Sequence, residues 1–156
     1  MLWLLSLRQV DCNQGRDGVS GLRLGDFVGD WRIGRQITDR LGPEARLEGR
    51  AEFAEVAGGL EYLETGQLRV GDLAAMNASR RYRWRAEGPA IAVEFPDGRA
   101  FHRFDPGRDQ PEATHDCAPD TYHVRYDFTR WPDWTCHWRV TGPRKDYDML
   151  TRYSRA

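Results

Sequence analysis

From Gly29 onward the chain alternates apolar and polar residues in short runs broken by turn residues, with no long stretch at helical spacing. Ahead of that point, Leu22, Leu24 and Phe27 fit one short helical turn. Each run can be tested by its faces, because a slip of one residue exchanges the buried and exposed sides of a strand. Gly58-Gly59 as a two-residue hairpin turn predicts Phe53 opposite Glu64, Ala51 opposite Gly66 and Leu47 opposite Val70. Asp97-Gly98 as a second turn predicts Phe95 opposite Ala100, Val93 opposite His102 and Ile91 opposite Phe104, which puts His102 on the apolar face. A strand over 121–129 carries Tyr122, Val124, Tyr126 and Phe128 on one side, and one over 134–141 carries Trp134, Cys136, Trp138 and Val140. The odd-length loop Thr129–Asp133 lets both sets share a face. A turn at Gly142-Pro-Arg-Lys145 then brings Trp138 opposite Met149 and Trp134 opposite Tyr153. Strands at 30–38 and 77–86 add Trp31, Ile33, Ile37, Tyr82 and Trp84. The sum is about nine strands in up-and-down order without parallel crossovers. The predicted fold is all-β, an antiparallel up-and-down β-barrel, since a sheet of this length curls and closure removes its edges.

Composition narrows the setting. A chain of 156 residues suits one domain, expected over 22–156. Met1–Leu7 is apolar but short and has no basic start, and Asp11–Gly21 is polar and Gly-rich, so residues 1–21 read as a disordered or misassigned leader, not a signal peptide. The net charge is −1, and Lys145 is the single lysine among 23 basic residues. No basic field is present to hold nucleic acid or an anionic membrane, and no run is long enough to span a bilayer. Cys12, Cys117 and Cys136 are odd in number and show no paired spacing, which predicts reduced thiols and a cytoplasmic location. Six Trp, six Tyr and six Phe favour strands and lined cavities.

With the apolar face inward, Arg35, Glu64, Arg80 and His102 point inward too. Buried charge is costly unless it is paired or hydrogen-bonded, which leaves two readings. In one, an internal Arg–Glu–Tyr network closes a filled barrel. In the other, these groups form the polar end of a ligand cavity. Arg35 or Arg80 then holds an anionic head group, and Tyr62, Tyr82, Trp84, Tyr122 and Trp138 line the apolar part. The cavity reading requires open space contacting at least two of the four charged or titratable residues. A solid interior with those groups paired off would end it. A catalytic use, of isomerase or lyase type, needs Glu64 and His102 within hydrogen-bond reach as base and acid. No Ser nucleophile motif, phosphate-binding Gly loop or dinucleotide fingerprint occurs, and no cofactor is expected. Haem ligation through His102 is outweighed by the ordinary role of an inward His as a hydrogen-bonded core residue.

The stretch HDCAPDTYHVRYDF, His115 to Phe128, mixes chemistry with architecture. Asp105–Pro119 reads as a long irregular loop, a lid whose His115, Cys117 and Asp120 order the entry into the next strand and border the cavity. His115 and Cys117 give one short-spaced ligand pair where zinc usually takes two, and His123 and His137 fall on the polar face, so no metal site is expected.

Gly29-Asp30-Trp31 resembles the Gly-x-Trp signature of lipocalins and the wider calycin barrels. In that group a late Arg packs over the Trp, and Arg152 or Arg155 would be its counterpart here. Further elements are Arg35-x-Ile37-x-Asp39, Gly49-x-Ala51-x-Phe53, Tyr62-x-Glu64-x-Gly66-x-Leu68, Arg80-x-Tyr82-x-Trp84, Asp97-Gly-Arg-x-Phe-His102, His115-x-Cys117-x-Pro-Asp120-x-Tyr122 and Gly142-Pro-Arg-Lys-Asp-Tyr147. Together, from about Leu24 to Arg155, they resemble the bacterial domain-of-unknown-function family 6314. That resemblance implies a calycin-like (lipocalin- or fatty-acid-binding-protein-like) barrel and leaves activity open. The inward Arg-x-Tyr pair of fatty-acid-binding barrels is not carried over, because Tyr153 falls inward while Arg152 falls on the opposite face. The expected function is non-enzymatic binding of a small, partly apolar anionic molecule. Its alternatives are the Glu64/His102 enzyme and a structural or partner-binding module with a filled barrel and an exposed aromatic patch around Trp131.

Overall fold

The computed structural model describes residues 21–156. The leader expected over 1–21 lies, Gly21 apart, outside the described residues, as does Cys12. A short 3-10 turn, Leu24–Phe27, precedes ten strands: β1 (Gly29–Asp39), β2 (Ala45–Val56), β3 (Gly59–Val70), β4 (Met76–Glu87), β5 (Ala90–Glu94), β6 (Ala100–Phe104), β7 (Glu112–Cys117), β8 (Asp120–Asp127), β9 (Trp134–Gly142) and β10 (Lys145–Arg155). All pairings are antiparallel between sequence neighbours, and β1 also pairs with β10, so the sheet rolls into a nearly closed up-and-down barrel. Among the described residues no helix is long and apolar enough to cross a membrane.

Period-two patterning sets the inside. Trp31, Phe53, Trp84, Val124, Phe128, Trp134 and Val140 are buried, while Arg85 and Arg125 face solvent. The register at the last hairpin is as expected, with Trp138 opposite Met149 and Trp134 opposite Tyr153. In the first hairpin the turn is Ala57-Gly58, one residue earlier than expected. Gly58, at φ 84°, supplies the left-handed backbone of that turn. Phe53 therefore meets Tyr62, Ala51 meets Glu64 and Leu47 meets Leu68. The pairing moves by two residues, so every side chain keeps its face. Gly49 and Gly66 face each other where β2 and β3 press together, and a Cβ on Gly49 would run into the backbone of Thr65 and Gly66.

Three expectations are corrected. The stretch read as a lid over Asp105–Pro119 contains β7, which pairs along its length with β8. Its inward residues are Ala113, His115 and Cys117, so no large apolar side chains announce the alternation. The pairing of Phe95 with Ala100 gives way to a bulge, since the register shifts between Val93 and Glu94. Closure by hydrogen bonds is incomplete as well. The sheet order ends at β6 and β7, which face one another as a seam bridged by side chains.

The end of the barrel near residue 29 is plugged. Phe27, fully buried, has the rings of Phe53, Trp84, Phe128, Trp131 and Trp134 around it at 5.2–5.9 Å. Trp31 Nε1 donates to the Phe27 carbonyl at 2.9 Å. Of the two arginines expected over Trp31, Arg155 takes the place, 3.9 Å above its ring, and donates to the carbonyls of Asp26 and Val28.

Candidate functional site

The other half of the barrel is hollow. A cavity of about 330 Å³ lies between the strands. Every sequence-nominated residue lines it: Arg35, Tyr62, Glu64, Arg80, Tyr82, Trp84, His102, His115, Cys117, Tyr122 and Trp138. Arg80 and Cys117 are exposed at its rim, so the cavity opens there. Pattern reasoning did not nominate Val93, Phe95, Phe101, Tyr126, Cys136, Tyr147, Met149, Thr151 or Tyr153, which complete the wall. Most of these were legible as inward positions. Phe101 was not, because the bulge sends Phe101 and His102 to the same interior, against strict alternation.

The charged groups divide sharply. Arg35 and Glu64 are 9% and 2% exposed and form a bidentate pair, Nη1 to Oε1 at 2.6 Å and Nη2 to Oε2 at 2.7 Å. Arg35 Nε donates to Thr151 Oγ1 at 2.7 Å, and Tyr62 Oη donates to Glu64 Oε2 at 2.6 Å. The Tyr62 and Tyr153 hydroxyls are bonded to each other at 2.9 Å. Burial alone would lower the Arg35 pKa, but the hydrogen bonds and charge of Glu64 outweigh it and raise the value. Burial alone would raise the Glu64 pKa, and Arg35 outweighs it to hold the carboxylate ionised below its usual range. The internal Arg–Glu–Tyr network is therefore present, and it stands in the cavity wall without filling the cavity.

Arg80 differs from Arg35. It sits opposite Glu64 across the β3–β4 ladder, and among the described residues it forms no ion pair. Lys145, near the same rim, is held by Asp120 Oδ2 and the Tyr122 hydroxyl, each at 2.9 Å.

His102 is enclosed by rings. Its Nε2 is 2.7 Å from the Tyr126 hydroxyl, and its Nδ1 is buried with no partner. Burial, with the charge of His115 adding to it, pushes its pKa down to about 3, so the ring is neutral at pH 7. No hydrogen bond joins His102 to Glu64, and each is engaged with other partners. Cys136, buried beside Tyr126, is driven up to about 12 by burial and is an inert thiol. His123 and His137 lie outside, bonded to Glu112 and Asp148. Among the described residues no group of three or more His, Cys, Asp or Glu is placed to hold a metal.

The stretch from His115 to Phe128 thus resolves into two paired strands, β7 and β8. His115, Cys117, Tyr122 and Tyr126 contribute to the cavity wall.

Comparison with known proteins adds fold and kinship. The model of a family of unknown function, DUF6314, matches residues 27–155. No curated protein matches the chain in sequence. Among solved structures, the S-type phycobiliprotein lyase CPES from Guillardia theta is similar, with a TM-score of 0.63 at 10% identity, covering 90% of this chain and 97% of that one. At that identity the likeness is one of fold.

Proposed function

We propose that this chain, which belongs to the family of unknown function DUF6314, is a calycin-like barrel that binds a small, partly apolar anionic molecule and releases it unchanged. One observation carries the reading: the barrel is hollow where its buried charges are already satisfied, and Arg80, which has no ion pair among the described residues, stands at the opening. A filled structural barrel would use its Arg–Glu network to exclude space. Here the network anchors the wall and leaves room beside it.

The binding reading is favoured over the enzymatic one by the state of the two nominated catalytic groups. Glu64 has both oxygens bonded to Arg35, and its proton affinity is lowered, so it is a poor base. His102 is neutral, hydrogen-bonded to Tyr126, and without a hydrogen bond to Glu64. The similar fold belongs to a protein named a phycobiliprotein lyase, which supports a small-molecule role for this barrel shape and does not specify one. A single barrel domain over 22–156 in the cytoplasm is part of the proposal, supported by Cys117 and Cys136, which form no disulfide among the described residues.

Native mass spectrometry of freshly purified protein tests this directly. The expected spectrum carries an added small-molecule mass, native or supplied as an amphiphilic carboxylate, which is lost on denaturation and reduced in Arg80→Gln. A bare polypeptide mass under all these conditions overturns the reading.

A further inference from the structure

The hydrogen bonds at the floor of the cavity run in one direction. Arg35 can only donate and the ionised Glu64 can only accept, which fixes the protons between them. The Tyr62 hydroxyl gives its single proton to Glu64 Oε2 at 2.6 Å. In its 2.9 Å bond with Tyr153, Tyr62 is therefore the acceptor and Tyr153 the donor. The chain of protons thus leads from Tyr153 to Tyr62 to Glu64.

Tyr153 Oη is left with its proton committed and its lone pairs free. Among the described residues no side chain donates to it. A hydroxyl that donates into a chain ending on a carboxylate is polarised, which makes its oxygen a better acceptor. The position of Tyr153 gives that acceptor a use. Its ring lies flat on Trp134, 3.6 Å between centroids and 3° between planes, and Trp134 packs in turn on Phe27 of the plug at 5.6 Å. Its hydroxyl end meets Tyr62, and both residues line the cavity. Tyr153 therefore stands on the floor, where the hollow half meets the plugged half, while Arg80 stands exposed at the rim. A buried acceptor without a donor favours a ligand that brings one. A ketone of the same shape brings a second acceptor, and the loss of its hydration is then not offset at Tyr153.

We infer that the cavity selects an anion hydroxylated at its buried end, with its carboxylate outward at Arg80 and its hydroxyl inward, donating to Tyr153 Oη. This rests on the reading of the cavity as an anion-binding site and narrows its ligand class to hydroxy acids over keto acids. Tyr62 is a positioning residue, since it holds the Tyr153 proton away from the ligand.

The test is isothermal titration calorimetry of the full chain with three carboxylates of one chain length: decanoate, 9-hydroxydecanoate and 9-oxodecanoate. The last two match in shape and differ in the presence of a proton donor. The expected result is that 9-hydroxydecanoate binds about tenfold more tightly than 9-oxodecanoate, the order of one hydrogen bond gained against one acceptor left unpaired. Tyr153→Phe removes that preference. Tyr62→Phe frees the Tyr153 proton to turn toward the ligand, so the ketone gains and the preference falls to about twofold. A purely structural role for Tyr62 would weaken both probes alike and leave their ratio unmoved. Equal binding of alcohol and ketone by the wild type, binding of decanoate alone, or a preference that survives Tyr153→Phe overturns the inference and leaves the anion-binding reading intact. Tighter binding of the ketone also overturns it and points to the N–H groups that Arg35 does not use on Glu64 and Thr151. Binding of none of the three, with the fold confirmed by circular dichroism, overturns the anion-binding reading itself and the inference with it.

Discussion

The two ends of the barrel are built from the same kind of residue and do opposite things with it. At one end Phe27 is inserted among five rings and no space remains. At the other, Tyr82, Phe101, Tyr122 and Trp138 stand around open volume, with no residue of the described chain inserted as Phe27 is. The arginines repeat the contrast. Arg155 caps the plugged end by stacking on Trp31 and donating to two carbonyls, whereas Arg80 at the open end has no ion-pair partner among the described residues. Solid packing and open volume are thus segregated along the barrel, with the Arg35–Glu64 pair in the cavity wall as the partition between them.

The strongest way to break this picture is at the plug. Phe27→Ala removes the ring on which five others pack and should cost about 4 kcal/mol in urea unfolding, a typical large core truncation. If the segregation holds, probe affinity at the open end changes little under conditions where the variant stays folded. A smaller stability loss, about 3 kcal/mol, is expected for Glu64→Leu, because it strands the Arg35 guanidinium in a buried site. The double variant Arg35→Met with Glu64→Leu should recover most of it. If Glu64→Leu alone is neutral, the partition is not held by this pair.

The third effect is in pH. His102 is held neutral to about pH 3, against 6.5 for an ordinary imidazole. Acid protonates the unfolded chain first, so the stability this neutral ring provides is complete above pH 6.5 and is lost as pH falls from 6.5 toward 3. Between pH 6.5 and about 5.5 carboxyl groups are still largely ionised in the unfolded chain as well as in the folded one, so the slope there reports His102 and not the ion pair. Wild type should lose up to about 1 kcal/mol across that window, and His102→Asn should flatten it. A variant slope equal to wild type would show that His102 titrates normally. The smallest stability effect belongs to Arg80→Gln, within about 0.5 kcal/mol of wild type, as for an exposed side chain with no ion pair among the described residues. Its effect should be confined to ligand affinity.

Much of the barrel was legible because the inward set is large and aromatic. Trp84, Trp134 and Trp138 could occupy one face only, and the Gly142-Pro-Arg-Lys145 turn then fixed the register of the last hairpin. The first hairpin slipped by two residues because Gly58 and Gly59 offer adjacent turns with identical faces. β7 was hidden because its inward residues, Ala113, His115 and Cys117, are small or polar, so its alternation carries little hydrophobic contrast. The site residues emerged by the same face rule that located the core. Phe101 escaped it because a bulge depends on how two strands meet, not on the composition of either. Which arginine Glu64 would take was also closed to sequence. Arg35 lies two strands away on β1 and Arg80 directly across on β4, and only barrel curvature brings the distant one into bidentate reach.

A ligand that enters the hollow end should leave the plugged end untouched. Amide and indole chemical-shift mapping during titration with 2-naphthoate, and separately with decanoate, tests it most directly. Shifts are expected to concentrate at Arg80, Phe101 and the Trp138 indole, with Phe27, Phe128 and the Trp31 indole unmoved. Shifts centred on the plugged end or scattered over the outer surface, or no shift with either probe, would contradict it.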